Sequence, residues 1–319
     1  MIALNNMSAQ TLATKPFSSD YVSLTLKEVL LQVDNYIHQV FYEQAVQSEL
    51  SNPTIEAVRY HFSSSGQQVR AKTCLDACMK FGIPYDDMLI LAAVTELLHN
   101  ASLIHDDIQD GDETRRNQPA VWKQFGTNIA ICAGDLLLST AYGVLANYSQ
   151  PKLLPKLIST IQARTRSAIE GQSNDIAYKI NPNISIEQYT QIAIHKSGAL
   201  LSLPIELALI ASEQNQYIEL ARTAVNHFAV GYQIADDLDD IIKDGGHEIQ
   251  SPSLNISQSV NIVFVLKALG YSNEKEVAIA MCKQHLNTAI RYANQLPCGS
   301  GLLLISLAEA LKNKTIRIT

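Results

Sequence analysis

Charge is scarce in this chain. Asp, Glu, Lys and Arg make up 17% of its 319 residues, against about 25% in an ordinary globular protein. Much of each helix surface is therefore expected to be covered. Basic residues are the scarcer kind, 24 against 31 acidic ones, for a net charge of −7. That balance argues against a nucleic-acid binder, which needs a broad basic face. Five cysteines, Cys74, Cys78, Cys132, Cys282 and Cys298, are odd in number and scattered. They imply no disulfide framework and fit a reducing cytoplasm. Cys74 and Cys78 lack the second ligand pair that a zinc site would show, so they read as buried core thiols. No uninterrupted apolar run reaches 18 residues, so no membrane span is expected. No glycine-rich phosphate loop follows a strand, which removes support for a dinucleotide or P-loop fold. Residues 1–20 have neither a charged start nor a sustained apolar centre. A loose N-terminal tail is expected there rather than a signal peptide.

What the chain does have is helical periodicity. Leu26, Val29, Leu30, Val33, Tyr36 and Ile37 recur at i, i+3, i+4, i+7 spacing. Similar patterns cover 67–81, 85–105, 127–147, 154–170, 186–212, 215–242, 257–269, 273–295 and 301–312. Breakers such as Pro84, Pro151 and Pro182 fall between them. Alternating strand patterns are few and no composition shift marks a boundary. The fold class expected is all-α, one helical domain over 21–319 of about ten helices.

Two acidic clusters carry the chemistry. Asp106, Asp107 and Asp110 stand at i, i+1, i+4, and Asp236, Asp237 and Asp240 repeat that spacing. On a helix the outer two of each set stack about 5–6 Å apart and repel by a few tenths of a kcal/mol. Such repulsion calls for compensation. A lone acidic cluster is usually a solvated helix face, but two clusters of identical spacing, each ending an apolar run, point to a pair of facing metal sites. Two or three Mg²⁺ ions would suit oxygen ligands of this kind, sharing a diphosphate between them. Arg115 and Arg116, just past the first cluster, could grip that diphosphate, and Lys196 on another helix could reach it. A different class of reading, an interaction protein with acidic helices that bind a basic partner, predicts no Mg²⁺ dependence.

The stretches DDIQDGDETRR (106–116) and DDLDD (236–240), with GQSND at 171–175, HKSG at 195–198 and RRNQPAVW at 115–122, resemble the trans-isoprenyl diphosphate synthases, or polyprenyl synthetases. The resemblance runs from about residue 66 to 240. It implies a helical bundle around a deep apolar cavity, usually a homodimer. By that resemblance the six aspartates would hold Mg²⁺, with Asp106, Asp107, Asp110, Lys196 and Asp236 central to catalysis. Arg115, Lys196, Ser197 and Gln233 would meet the allylic diphosphate. Arg70, His99 and Arg116 would hold isopentenyl diphosphate, and Gln172 and Asp175 would lie along the metal-facing wall. Chain growth would pass Ser102, Ala101 and Leu98. The two nearest the motif are small, which implies a product of C20 or longer.

Two departures stand out. Where the family carries Gly-Lys-Arg-x-Arg-Pro, this chain has Gly66-Gln67-Gln68-Val69-Arg70-Ala71. Losing a phosphate-binding cation costs roughly 1.5–3 kcal/mol, or about 10–100-fold in affinity. The Gly-Lys pair expected after the second motif is also missing: Lys243 comes too early and the next lysine is Lys267. A terpene cyclase, a prenyltransferase with another acceptor and a subunit of a heteromer are the alternatives these changes leave open. His105 either orients a carboxylate or is a helix-end polar residue, and Trp122 is expected to anchor the loop before it.

Overall fold

A computed structural model describes residues 25–46, 52–64, 66–180, 184–243 and 260–316. The expected tail, 1–20, lies outside them. The described chain is helical almost throughout, and its helices enclose one core cluster. In order they are α1 (Leu26–Val46), α2 (Pro53–Ser63), α3 (Val69–Lys80), α4 (Tyr85–Asp110), α5 (Val121–Phe125), α6 (Thr127–Gly143), α7 (Leu154–Ile180), α8 (Ile186–Ala193), α9 (Ala199–Ala211), α10 (Ile218–Lys243), α11 (Ile262–Ala268), α12 (Glu274–Ala293) and α13 (Leu302–Ile316).

Local chemistry sets many of the boundaries. Asn52 caps α2, its Oδ1 accepting from the Thr54 N–H at 2.9 Å, and Pro53 follows at the first helical position. Ser185 and Gln188 close a capping box on α8. α4 ends where Gly111 turns left-handed, at φ +72°. α9 is apolar on every side and buried along its whole length except Leu201, as the central helix of a bundle must be.

Several elements differ from the sequence expectation. α2 and α5 fall outside the expected runs, one being eleven residues long and the other little more than a turn. α7 continues ten residues beyond the expected 170, which puts Gln172 and Asp175 inside it. The run 186–212 is broken by a π-helical turn, Ile194–Gly198, which carries Lys196 and Ser197. Between α4 and α5 a short hairpin forms, β1 (Thr114–Arg115) against β2 (Gln118–Pro119), with Arg115 opposite Gln118. Arg116 and Asn117, both at positive φ, make its turn.

The expectation that no segment has the makings of a span needs correcting. By length and hydropathy α4, residues 127–147 and residues 186–211 are each apolar enough to cross a membrane. For the first and third the bundle itself accounts for this, since it buries 78% and 72% of their most apolar stretches. The second is only 44% buried.

One close approach positions the future site. A Cβ on Gly171 of α7 would fall 2.3 Å from the backbone nitrogen of Lys196, so only glycine lets α7 and the π-turn touch there. Gly171→Ala should destabilise the protein by about 1–3 kcal/mol. Urea unfolding measures this, and an unchanged midpoint would contradict the packing described.

Candidate active site

The two D-D-x-x-D segments fold alike. In each, the second aspartate is turned inward, Asp107 at 1% exposure and Asp237 at 2%, while the outer pair lies on the more exposed side. Helical geometry requires this split, because adjacent residues point about 100° apart.

Asp107 Oδ1 accepts from Arg115 Nε at 2.8 Å, and its Oδ2 is enclosed with no hydrogen-bond partner. Asp237 is held on three sides. Tyr189 Oη and the Ile262 N–H each donate to its Oδ2 at 2.7 Å, and Gln233 Nε2 donates to Oδ1 at 2.9 Å. Burial nevertheless pushes its pKa up to about 7 against those donors. Asp106 is raised to about 6, by burial first, with Asp110 and Asp107 adding to it and Lys196 opposing.

Lys196 links the acidic groups. Its Nζ donates to Asp175 Oδ2 at 2.5 Å. Burial opposes its charge, but Asp175, Asp110 and Asp106 outweigh that and raise its pKa. The segment before α11 continues the chain of contacts: the Val260 N–H approaches Asp175 Oδ1 at 3.5 Å and Asn261 donates to the Asp237 carbonyl at 2.9 Å. Polar contacts therefore run from Lys196 through Asp175 and the 260–261 segment to the second motif, while Asp106 and Asp110 of the first act on Lys196 electrostatically.

Two turns back along the same faces of α4, at His99 and Asn100, lie the partners of the other cations. Because the hairpin turn separates them, Arg115 goes to Asp107 while Arg116 donates to the Ser64 carbonyl at 2.9 Å and to Asn100 Oδ1 at 3.1 Å. His61 shares that Asn100 oxygen at 2.9 Å and is held neutral, its pKa lowered by burial to about 4. Arg70 is lowered to about 10 by burial, with Glu96, Tyr232 and Asp106 pulling the other way. Its Nε and the Nδ1 of His99 are enclosed without hydrogen-bond partners. His99 is kept neutral by burial and by Arg70 and Arg116 beside it. An unpartnered guanidinium N–H and an unpartnered imidazole nitrogen, with the Arg116 guanidinium close by, suit an incoming anion.

A cavity of about 310 Å³ starts at Asp106 and Lys196 and runs along α4 past Ser102 and Ala101 to Leu98. From 106 back to 98 is about 12 Å of helix. Leu138 and Leu200 contribute to its apolar wall. A charged mouth on a channel of this size and lining is suited to an amphiphile with an anionic head and an apolar tail.

Residues 52–292 match the model of the family described as polyprenyl synthetase. The chain belongs to that family. It is 31% identical over 196 residues to a chloroplastic geranylgeranyl pyrophosphate synthase of Capsicum annuum, covering 59% of this chain and 53% of that protein. A short chain isoprenyl diphosphate synthase of Methanocaldococcus jannaschii is 26% identical over 284 residues, or 83% and 86% of the two chains. The match thus spans between about half and most of the curated relatives' length. Among solved structures, geranylgeranyl pyrophosphate synthetase from Pyrococcus horikoshii superimposes with a TM-score of 0.76 at 25% identity, covering 90% of this chain and 96% of that one.

For a polyprenyl synthetase the predicted residues are gathered well but not completely. Asp106, Lys196, Leu98, Ala101, Ser102 and Gln172 line the cavity, and Ser197 sits half-buried beside Lys196. A ready-made metal cage is not present: among the described residues no group of three or more His, Cys, Asp or Glu side chains could hold an ion alone. The donor set still fits a hard cation with diphosphate oxygens as further ligands. An enclosed Asp107 oxygen without a partner and an Asp106 carboxylate of raised pKa both favour an incoming positive charge. His105 turns to Asp135 on α6, 3.5 Å away, rather than to Asp106. Trp122 is half-buried and pins the loop after the first motif, its Nε1 donating to the Asp112 carbonyl at 2.8 Å. Cys74 and Cys78 are buried core thiols. Tyr189, Asn100 and Glu96 escape sequence reasoning, since a buried polar residue inside an apolar helix face carries no spacing signal.

The inner and outer aspartates should differ in stability. Asp237→Ala strands three donors and should cost about 1–3 kcal/mol. Asp106→Asn removes like-charge repulsion and should leave the unfolding midpoint unchanged or raise it. Metal-free urea denaturation measures both, and equal losses would abolish the distinction.

Proposed function

We propose that this polyprenyl synthetase is a Mg²⁺-dependent trans-prenyltransferase that condenses an allylic diphosphate with isopentenyl diphosphate, giving a trans-polyprenyl diphosphate of C20 or longer. The observation that carries the proposal is the cavity that begins at Asp106 and Lys196 and continues past two small residues, Ser102 and Ala101. Bulky side chains there would close the channel within a turn of the acidic motif.

Mg²⁺, held by Asp106, Asp110 and the unpartnered Oδ2 of Asp107 on α4 and by Asp236 and Asp240, backed by Asp237, on α10, would neutralise diphosphate charge as a Lewis acid. The chain's own groups do the rest. Lys196 exchanges its contact with Asp175 for an oxygen of the allylic diphosphate, and Gln233 and Arg115 flank the same head group. Arg70, His99 and Arg116 hold the isopentenyl diphosphate, whose oxygens satisfy the orphaned Arg70 and His99 nitrogens. With both head groups fixed, the allylic C1–O bond breaks and its electrons leave with pyrophosphate, stabilised by these cations. The double bond of isopentenyl diphosphate forms the new bond to C1, and the resulting cation loses a proton to the departing pyrophosphate. Apolar walls exclude the water that would otherwise capture the cation.

A second copy of the chain is the expected partner. Ile131 on α6 is exposed, and only 44% of the apolar stretch in 127–147 is buried, which leaves this helix more apolar area than a lone chain should show. Five free cysteines are compatible with a reducing cytoplasm.

Labelled isopentenyl diphosphate, offered with dimethylallyl, geranyl and farnesyl diphosphates in turn, tests the proposal. Products of C20 or longer are expected with Mg²⁺ and none after chelation. Pyrophosphate release without chain growth would instead favour a cyclase or a different acceptor. In the same assay Ala101→Phe or Ser102→Phe should shorten the product, and an unchanged distribution would refute the assigned path of the tail.

A further inference from the structure

The loop that opens α3 is fastened at three points. Gln68 is left-handed at φ +50° without being glycine, and its side-chain amide donates to Asp34 on α1. At Gly66 a Cβ would fall 2.8 Å from Arg116 Nη2, so the guanidinium lies hard against the backbone. Between them the Gln67 carbonyl accepts from Lys72 Nζ at 2.7 Å. Gln67's own side chain is neutral and exposed.

Charge at this end of the site is short. Arg70 and Arg116 bring two positive charges, His99 is neutral, and buried Glu96 lies within electrostatic reach of both guanidiniums. Glu96 thus offsets part of the charge that the two guanidiniums would offer a diphosphate. Lys72, in the first turn of α3, is a further cation whose side chain reaches back to that loop, and no carboxylate among the described residues pairs with it. One of its three N–H donors is spent on the Gln67 carbonyl and two remain. By covalent geometry its ammonium lies within roughly 5 Å of Cα67, inside the reach of a lysine rooted there.

We propose that Lys72, reaching back across the loop, supplies the diphosphate of the homoallylic substrate with the cation that Gln67 cannot. The assignment rests on the isoprenyl diphosphate synthase reading above and adds to it a binding residue from one turn further along the chain. The bland alternative is a surface lysine that ties a loop to its helix, and it predicts no selective effect on one substrate.

Steady-state kinetics with saturating allylic diphosphate separates the two. In Lys72→Gln the KM for isopentenyl diphosphate should rise about 10–100-fold, with kcat and the allylic KM within about three-fold. Lys72→Met, which keeps the aliphatic stem, should behave alike, and adding Gln67→Lys to either should restore most of the loss. Thermal unfolding of each variant checks that the fold persists. An unchanged KM in both single variants overturns the proposal. So does a loss shared equally by the two substrates, or one that Gln67→Lys fails to repair. Should the wild-type chain itself make no product from isopentenyl diphosphate, the synthase reading fails, and this assignment with it.

Discussion

A carboxylate enclosed by apolar helices must meet a cation or a donor, and the arrangement of this molecule follows from that requirement. Lys196 is the pivot. It stands between Asp175 on α7 and the first acidic motif on α4, and it sits on the one π-helical turn among the described residues. Gly171 lets α7 come close enough for the pair to form. Remove the ammonium and at least three acidic side chains would face one another in a low dielectric.

The same requirement explains why the two acidic motifs are not uniform. Each spends its inner aspartate on the fold. Asp107 draws the hairpin arginine back onto α4, and Asp237 fastens the segment that leads into α11. The outer aspartates remain where a metal–diphosphate complex would arrive. Under the proposed function the motif is an anchor flanked by candidate ligands, and its two roles follow from the angle between successive helical side chains. On the cationic side the logic is inverted, because guanidiniums and a neutral histidine are held with unused donors and await an anion.

Much of this was legible in the residues. The apolar period announced nearly all the long helices, and the repeated i, i+1, i+4 spacing announced paired acidic sites. Small side chains at 101 and 102, one turn before the motif, implied an open channel through the family resemblance. Where periodicity fell short the causes were local. α2 and α5 are short, the π-turn at 194–198 changes the period without changing composition, and the hairpin at 114–119 depends on two residues at positive φ.

What the sequence determined by itself was therefore an inventory: an all-α chain, six aspartates in two like motifs, arginines beside the first, and a cation missing at Gln67. Tertiary structure alone decided the assignment of partners. It turned Asp107 and Asp237 inward, sent Arg115 to Asp107 and Arg116 to Asn100 two turns away, gave Tyr189 to Asp237 and brought Lys72 onto the Gln67 carbonyl. Helical spacing fixes which side chains share a face, but the groups that meet that face come from distant segments. Tyr189 and Ile262 lie 48 and 25 positions from Asp237, and only packing brings them together.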